Sequence, residues 1–344
     1  MSGAWKDRSG TPLEPKPFGK VGLSGSVTRR RIARTVAERT ASAEEFVPGH
    51  DRYKNSLTGR LDCSLRVLTP LHVGSGVYDA DSAGILRGII RTSGEPAIPG
   101  TSLKGCIRSV AEAISCSCVR ITRKQIERFL SAQPVAACRN IRAGGDGTLC
   151  TCCSLFGALG YRGRISFGEA RSVGESTSVH RIQSPYPPRD FARAYKNPRG
   201  QYDGRKFYYH GKTVVVKTGE PYEVVKPGSE FRFAMHFESL TEDELCVLMV
   251  SMGISDDLVI KMGGGKQAML GAVEIFPELL ELRDAVRSFE DFGAGVTSLT
   301  GDELRTFIDR IGGEHSALID EDALDEVMRI WDRNSNRKAP EGMY

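Results

Sequence analysis

The sequence predicts an α+β sandwich of ferredoxin type. Two observations predict it. Segments that alternate apolar and polar residues, as strands do, and segments with apolar residues at helical spacing follow one another in the order strand, helix, strands, helix, strand. The chain has 344 residues, of which 40% are hydrophobic, so it can bury the core of one large or two small domains.

The first strand and the first helix have the clearest patterns. The strand spans about residues 59–68, alternates regularly and is ended by Pro70. Thr101 or Ser102 can cap the helix that follows. The apolar residues of this helix recur at helical spacing, at Leu103, Ile107, Val110 and Ile114.

The rest of the predicted core contains two more helices and four more strands. The clearer helix begins at Thr241, and Glu244, three residues later, completes a capping box. These elements are predicted at about residues 122–132 (helix), 163–170, 213–217 and 229–238 (strands), 241–254 (helix) and 272–276 (strand).

The charge of the chain is unevenly distributed. Residues 272–344 hold 17 acidic and 8 basic residues, a net charge of −9, so the preceding 271 residues carry +13. A basic body predicts a polyanionic partner, and an acidic end predicts a surface that faces water or a basic neighbour. This acidic C-terminal region, residues 277–344, is predicted to form small helices at about 279–289, 300–311 and 320–333.

Residues 1–45 are predicted to form a flexible basic arm. They contain three prolines, several Gly and Ser residues and the run Arg29-Arg30-Arg31 followed by Arg34. Such a run is usually disordered and is suited to phosphate contacts.

Two segments are candidate anion sites. In "KMGGGKQAMLGAVEI", from Lys261 to Ile275, the glycines Gly263, Gly264 and Gly265 precede Lys266, and bare backbone beside a cation suits a phosphate. The alternative is a tight turn before a strand.

The predicted helix near residue 101 carries Ser102 and Lys104 at its N-terminus and Arg108 one turn later, which is a second natural anion site. The alternative there is a surface helix with ordinary cations.

The cysteines predict a structural zinc site. Cys150 and Cys153 form a CxxC pair, which can hold two thiolates on one tetrahedral metal. Cys138 is the candidate third ligand, and Cys118 or Cys116 the fourth, with Cys152 as a further alternate. The other interpretation is a set of small buried thiols.

The composition excludes several classes of protein. No apolar stretch is long enough to span a membrane. Residues Met1 to Lys20 lack the apolar segment of a secretory signal, and nine cysteines without an export signal fit reduced thiols or metal ligands. These features predict a cytoplasmic protein.

Five segments together resemble one family. They are "LTPLHVGSG", "IPGTSLKGCIRSVAEAI", the cysteine cluster ending in "SLFG", "GRISFGEA" and "MGGGKQAMLGAVEI". Their order is similar to that in the RAMP superfamily, the backbone subunits of class 1 CRISPR effector complexes, mainly type III. "SPYPP" followed by "GRKFYYHG" resembles the subgroup of type III-D systems and their relatives, including type VII. The resemblance covers about residues 46–276.

The resemblance implies a ferredoxin-like palm that also resembles the RNA-recognition motif, with a zinc-binding insertion at about 116–153 and a thumb at about 176–212. Copies of the protein would stack along a guide crRNA, and the glycine loop and the helix near residue 101 would grip its phosphates. The implied partners are the crRNA, a complementary target RNA, further copies of the chain, other CRISPR effector subunits and a separate nuclease. In the thumb, cations would bind phosphates and rings would stack on bases; the residues selected are Arg181, Arg189, Phe191, Arg205 and Lys206. The alternative for this stretch is a loop folded onto its own aromatic residues.

The resemblance also raises the question of RNA cleavage. Family members that cut RNA carry an aspartate after a Gly-Gly-Ile segment, and here Leu86 of "SAGILRG" stands at that position. We therefore expect a non-catalytic subunit. The alternative is a metal-dependent endoribonuclease that acts through Asp79 or Asp81 of the same loop.

Overall fold

The computed structural model describes residues 16–33, 46–47, 56–81, 84–119, 137–138, 147–174, 176–183, 197–214, 216–256, 258–291 and 294–339. Within these ranges the protein is a mixed α+β structure built on one large sheet and three smaller ones. The helix predicted at 122–132 and the thumb residues Arg189 and Phe191 lie outside the described residues.

Eighteen strands are found in the described part of the chain. They are β1 Phe18–Gly22, β2 Arg29–Ile32, β3 Phe46–Val47, β4 Leu57–Val67, β5 Gly74–Asp81, β6 Gly84–Ile89, β7 Arg91–Thr92, β8 Glu95–Ile98, β9 Thr148–Cys150, β10 Ile165–Phe167, β11 Ala170–Ser172, β12 Thr177–Ile182, β13 Gly204–Tyr208, β14 Glu220–Val225, β15 Glu230–Leu240, β16 Ile260–Lys261, β17 Ala272–Arg283 and β18 Val296–Leu299.

The helices of the described ranges are α1 Gly100–Ile114, α2 Thr151–Phe156, α3 Glu242–Ser251, α4 Ala285–Glu290, α5 Gly301–Gly312 and α6 Glu321–Ile330. The predicted capping box is confirmed at α3. The Thr241 hydroxyl accepts a hydrogen bond from the Glu244 backbone N–H, and the Glu244 carboxylate accepts one from that of Thr241. These bonds satisfy two N–H groups that the first turn of a helix leaves unpaired.

The large sheet has the order β16–β17–β4–β15–β11–β8–β7, with β18 added beside β17 and β10 beside β15. The long strands β4, β15 and β17 pair antiparallel in its centre. Alternate residues of β4 and β15 are buried, as their sequence pattern predicts. Helices α1 and α3 pack against each other, and their apolar residues share one core with the central strands.

Two sequence predictions about elements are wrong. The helix predicted at 279–289 is interrupted, because β17 continues to Arg283 and only then does α4 begin. Leu280 pairs with Leu61 of β4 and is fully buried, so long-range pairing overrides the local helical pattern. No strand forms at residues 213–217 in the described part of that segment; β13 and β14 flank it instead.

Part of the predicted N-terminal arm is structured. Residues 16–33 contain β1, which pairs with β13, and β2, which pairs with β9 and β3. Phe18 and Val21 are buried apolar anchors for β1. The prediction of a flexible arm therefore differs from the structure over these residues. Local sequence patterns did not predict this pairing, because the main partner strands, β13 and β9, lie more than 100 residues away in the sequence.

The acidic C-terminal region packs onto the core. Strand β18 extends the sheet, α5 packs against α3, and α6 contacts α1, β1 and β13. Beyond α6, the Trp331 indole N–H donates to the Tyr208 carbonyl at 3.0 Å, and its ring packs against Phe207. The C-terminus thus covers the base of the segment predicted to be the thumb.

Candidate metal centre and anion-binding cleft

Four cysteines converge on one point. The Sγ atoms of Cys118, Cys138, Cys150 and Cys153 all lie within 4.8 Å of one another. The Sγ atom of Cys118 is 3.6 Å from that of Cys150 and 3.6 Å from that of Cys153. A tetrahedral zinc with Zn–S bonds near 2.3 Å requires S···S separations of about 3.8 Å. The cluster therefore has the size and chemistry of a four-thiolate metal site.

The local backbone holds these thiols in place. Cys150 is the N-cap of α2, and its Sγ accepts a hydrogen bond from the Cys153 N–H at 3.5 Å. The Cys150 N–H donates in turn to Cys138 Sγ at 3.3 Å. Hydrogen bonds with Cys118 and Cys138 hold the pKa of Cys150 well below that of a free thiol, whereas hydrogen bonds within the cluster raise the pKa of Cys118 and that of Cys153.

The structure separates the ligand candidates that the sequence left open. Cys118, and not Cys116, lies in the cluster of the described residues. Cys152 is buried outside it, where its Sγ lies 3.6 Å from Ser115 Oγ. Four thiolates fill a tetrahedral shell, so the geometry fits a structural metal and leaves no open position for catalysis.

Arg108 lies beside the metal site. Its guanidinium donates to Cys153 Sγ at 3.6 Å, to the Gly157 carbonyl at 2.9 Å and to Glu112 at 2.7 Å. Glu112 also pairs with Arg205 at 3.2 Å. Arg108 and Arg205, two of the four arginines predicted to bind RNA, are thus joined through one carboxylate.

The other predicted residues of α1 have different surroundings. The Lys104 ammonium donates to the Ile165 carbonyl at 2.8 Å, and burial lowers its pKa. Ser102 lies in the first turn of the helix. Of the three residues predicted in this helix, Ser102 is the one with an exposed side chain, whereas Lys104 and Arg108 are partly buried.

The glycine loop is a tightly packed connection between β16 and β17. The Gly264 N–H donates to the His72 carbonyl at 2.7 Å, and the Met262 N–H donates to the Gly271 carbonyl at 2.8 Å. Gly263 has φ +80°, and a Cβ there would lie 2.4 Å from the His72 carbonyl oxygen. These contacts require glycine whether or not an anion binds. The loop ends in a short 3₁₀ turn that begins at Lys266.

A basic cleft lies beside this loop. It brings together three of the predicted residues, Arg205, Lys206 and Lys266, from distant parts of the chain. Its full lining consists of Ser109, Arg205, Lys206, Phe207, Tyr208, Lys261, Lys266 and Trp331. The Lys206 ammonium lies 4.1 Å from the centroid of the Phe18 ring and 4.3 Å from that of Tyr208, and burial lowers its pKa to about 8.

Other predicted residues lie outside the lining of this cleft. Arg181, on β12, donates to the Gly219 carbonyl at 3.3 Å. Leu86 is buried in β6, and its strand partner is Asp79 of β5, which is exposed. The side chain of Asp81 lies outside the described part of the chain.

Sequence reasoning did not select Lys261 or Trp331. Lys261 is 2% exposed and Trp331 is 5% exposed, yet both line the cleft. Lys261 opens the glycine motif, but a strand of two residues is too short to have a readable alternation. Trp331 follows an amphipathic helix whose partners are distant in sequence. Only the tertiary fold places them together.

The chain belongs to the RAMP superfamily, because the model of that family matches residues 64–274. This match confirms the family resemblance drawn from the sequence motifs. No curated protein matches the chain. Among solved structures, the crystal structure of Thermofilum pendens Csc2 is 15% identical, with a TM-score of 0.36, and the match covers 82% of this chain and 84% of that chain.

None of the described helices combines the length and apolar character that a membrane crossing needs.

Proposed function

We propose that the protein is a guide-RNA-binding backbone subunit of a class 1 CRISPR ribonucleoprotein, of a type similar to III-D or VII. In this role it holds the crRNA in a path open to pairing with a complementary target RNA. The observation that carries the proposal is the convergence of Arg205, Lys206 and Lys266 beside the glycine loop of a RAMP-superfamily chain. Cations and aromatic rings in one cleft suit a single-stranded RNA.

The sheet order supports a ferredoxin-like palm. Its central strands are ordered β17–β4–β15–β11, and α1 and α3 connect them as the two helices of a βαββαβ unit would. In this proposal β12 and β13 are the base of the thumb, and Arg189 and Phe191, which lie outside the described residues, bind the guide. Further copies of the chain stack along the same guide, together with other effector subunits.

We propose that the subunit itself does not cleave RNA, and that a separate nuclease partner does. Leu86 supports this proposal, since the position that the family uses for a cutting aspartate carries a buried apolar side chain. The cysteine site is proposed to hold a structural Zn²⁺, which joins the end of α1 to α2.

The test is to express the protein with a crRNA-producing array and to sequence the RNA that co-purifies. We expect guide-length RNA, and its loss in a Lys206→Gln/Lys266→Gln double variant. The matched control is Lys217→Gln/Lys226→Gln, which removes two charges outside the cleft. Co-purification of random RNA, or of none, would contradict the proposal.

Cleavage is tested on the assembled complex with matched target RNA and Mg²⁺. We expect the target to bind and to remain intact without another nuclease. Cutting that an Asp79→Ala substitution abolishes would instead establish the protein as an endoribonuclease.

A further inference from the structure

Lys261 is a buried cation without a hydrogen-bond partner in the described part of the chain. It is 2% exposed, and its ammonium has no hydrogen-bond partner among the residues that the structure describes. A buried ammonium normally has a hydrogen bond or an opposite charge, because removing an ammonium from water without compensation is unfavourable. The side chain nevertheless lines the basic cleft. A group that enters the cleft can therefore supply what the folded chain does not.

The surroundings of Lys261 indicate which charge a group that enters the cleft should carry. Lys206 and Lys266 line the same cleft, and its lining in the described part of the chain includes no carboxylate. The neighbouring Arg205 is already paired with Glu112. Three lysines in one recess without an acidic side chain favour an anion with several acceptor oxygens.

In the described part of the chain, His210 and Cys106 lie beside Lys261 and neither supplies an anion, although the charge of Asp332 also acts on His210. His210 is bonded through Nε2 to the Val259 carbonyl at 2.8 Å, so Nε2 carries the proton. Burial, followed by the charge of Lys261, lowers the pKa of His210 to about 4, which keeps this ring neutral. Cys106 donates to the Lys261 carbonyl, and burial raises the pKa of its thiol, so it too is neutral. Burial and the charge of Lys266 lower the pKa of Lys261 itself to about 7.

We propose that Lys206, Lys261 and Lys266 form a pocket for one phosphate group, with Lys261 as its least exposed contact. Ser109 lies in the same lining, but its hydroxyl donates to the Cys106 carbonyl at 2.7 Å, so the three ammonium groups are the donors of the pocket. The phosphate is a diester of the bound RNA or a free phosphate. The RNA source rests on the proposed function, and the experiment below separates the two sources.

The pocket is tested with RNA-free protein and two probes, inorganic phosphate and a single-stranded RNA oligonucleotide. The first variant is Lys261→Met, which keeps the length of the side chain and removes its charge. The second is Lys266→Met at a half-exposed position, in case the first variant does not fold. Lys226→Met is the matched control, because its exposed side chain lies outside the cleft. Circular dichroism verifies that each variant is folded.

We expect Lys261→Met and Lys266→Met to weaken RNA binding about tenfold each, since each removes one charged hydrogen bond. The slope of log K against log salt should become shallower by about 0.7 for each phosphate that the variant no longer neutralises. Lys226→Met should bind like the unmodified protein. The pocket accepts free phosphate if inorganic phosphate raises the midpoint of thermal unfolding of the unmodified protein but not of Lys261→Met. The ligand is the RNA diester if RNA binding depends on Lys261 and inorganic phosphate has no such effect.

Unchanged RNA and phosphate binding in the folded Lys261→Met and Lys266→Met variants would overturn the proposal. This result is distinct from a failure of the proposed function. RNA that binds independently of Lys261 would remove the pocket and leave guide binding intact. Phosphate binding that needs Lys261, in a protein without affinity for RNA, would leave the pocket and remove guide binding.

Discussion

Glu244 Oε1 lies 2.6 Å from Arg164 Nη2, and both side chains are fully buried. The same carboxylate accepts a hydrogen bond from Arg30 at 2.7 Å. Arg164 also donates to Ser154 Oγ and to the Ser239 carbonyl. One carboxylate thus joins β2, the segment before β10 and the first turn of α3, three regions far apart in the sequence.

Glu244→Gln should destabilise the protein by about 3–5 kcal/mol, because it removes the carboxylate that pairs with the fully buried Arg164 guanidinium. Urea unfolding followed by circular dichroism measures this loss. Glu242→Gln is the matched control, since its carboxylate forms an exposed pair with Arg310 and should change stability by about 1 kcal/mol or less. Equal effects of the two substitutions would refute the interpretation.

The same network should make folding stability sensitive to acid. Burial alone would raise the pKa of Glu244, but the charges of Arg164 and Arg30 hold it at about 2. A carboxyl in the unfolded chain has a pKa near 4.3. The stabilisation is therefore complete above that value and is lost as the pH falls toward 2. Urea midpoints measured from pH 6 to pH 2.5 should fall more steeply in the unmodified protein than in Glu244→Gln.

The metal site predicts that zinc binding requires some of the cysteines and not others. Elemental analysis should find one zinc per chain, lost in Cys118→Ser and Cys153→Ser, because each removes one of four ligands. Cys116→Ser and Cys152→Ser should keep the metal. Removal of the metal with a chelator should lower the midpoint of thermal unfolding. Loss of zinc in Cys116→Ser with retention in Cys118→Ser would contradict the ligand set.

His315 predicts a second pH effect of opposite sign. Its two ring nitrogens lie 2.9 Å from Asp256 and 2.9 Å from Glu321. Burial lowers the pKa of His315, but the hydrogen bonds to Glu321 and Asp256 outweigh it and the pKa is raised. The stabilisation is present below about pH 6.5 and is lost as the pH rises through the higher value of the folded state.

His315→Gln should therefore lower the unfolding midpoint at pH 6 more than at pH 9. His180, which has no ion pair in the described part of the chain, provides the control substitution His180→Gln. An effect of His315→Gln that does not change with pH would remove the charge-based explanation.

Lys261 predicts a pH dependence of RNA binding. The pKa of its ammonium is lowered to about 7 in the free protein by burial and by Lys266, whereas phosphodiesters keep their charge across this range. Affinity should fall as the pH rises from 6 to 8, because more of the Lys261 side chains must take up a proton to bind. Fluorescence anisotropy with labelled RNA measures the change, and Lys261→Met should flatten it. The remaining slope reports Lys206, whose pKa is about 8.

Local sequence patterns predicted the elements whose signals lie within one turn or one strand. Helix α1 appeared in the spacing of Leu103, Ile107 and Val110, and α3 in its capping box, because neighbouring residues alone determine these features. The cysteine cluster was readable because three of its ligands lie within sixteen residues.

Residues whose partners are distant were not predictable in this way. Arg30 looked like part of a phosphate-binding run, yet it is paired with Glu244, more than 200 residues away. Arg108 looked like an anion ligand, yet it contacts Cys153 and Glu112. The sequence around a lysine or arginine does not reveal whether the side chain binds a phosphate of a ligand or a carboxylate of the same chain.

The sequence by itself determined the family, the α+β class and the grouping of cysteines, because these depend on motifs and periodicities that short segments carry. The tertiary structure alone decided which cations face a common cleft, that Lys261 is buried there without a partner among the described residues, and that the acidic C-terminus packs on the core. The physical reason is that burial and ion pairing join residues hundreds of positions apart, and only the folded chain brings those residues into contact.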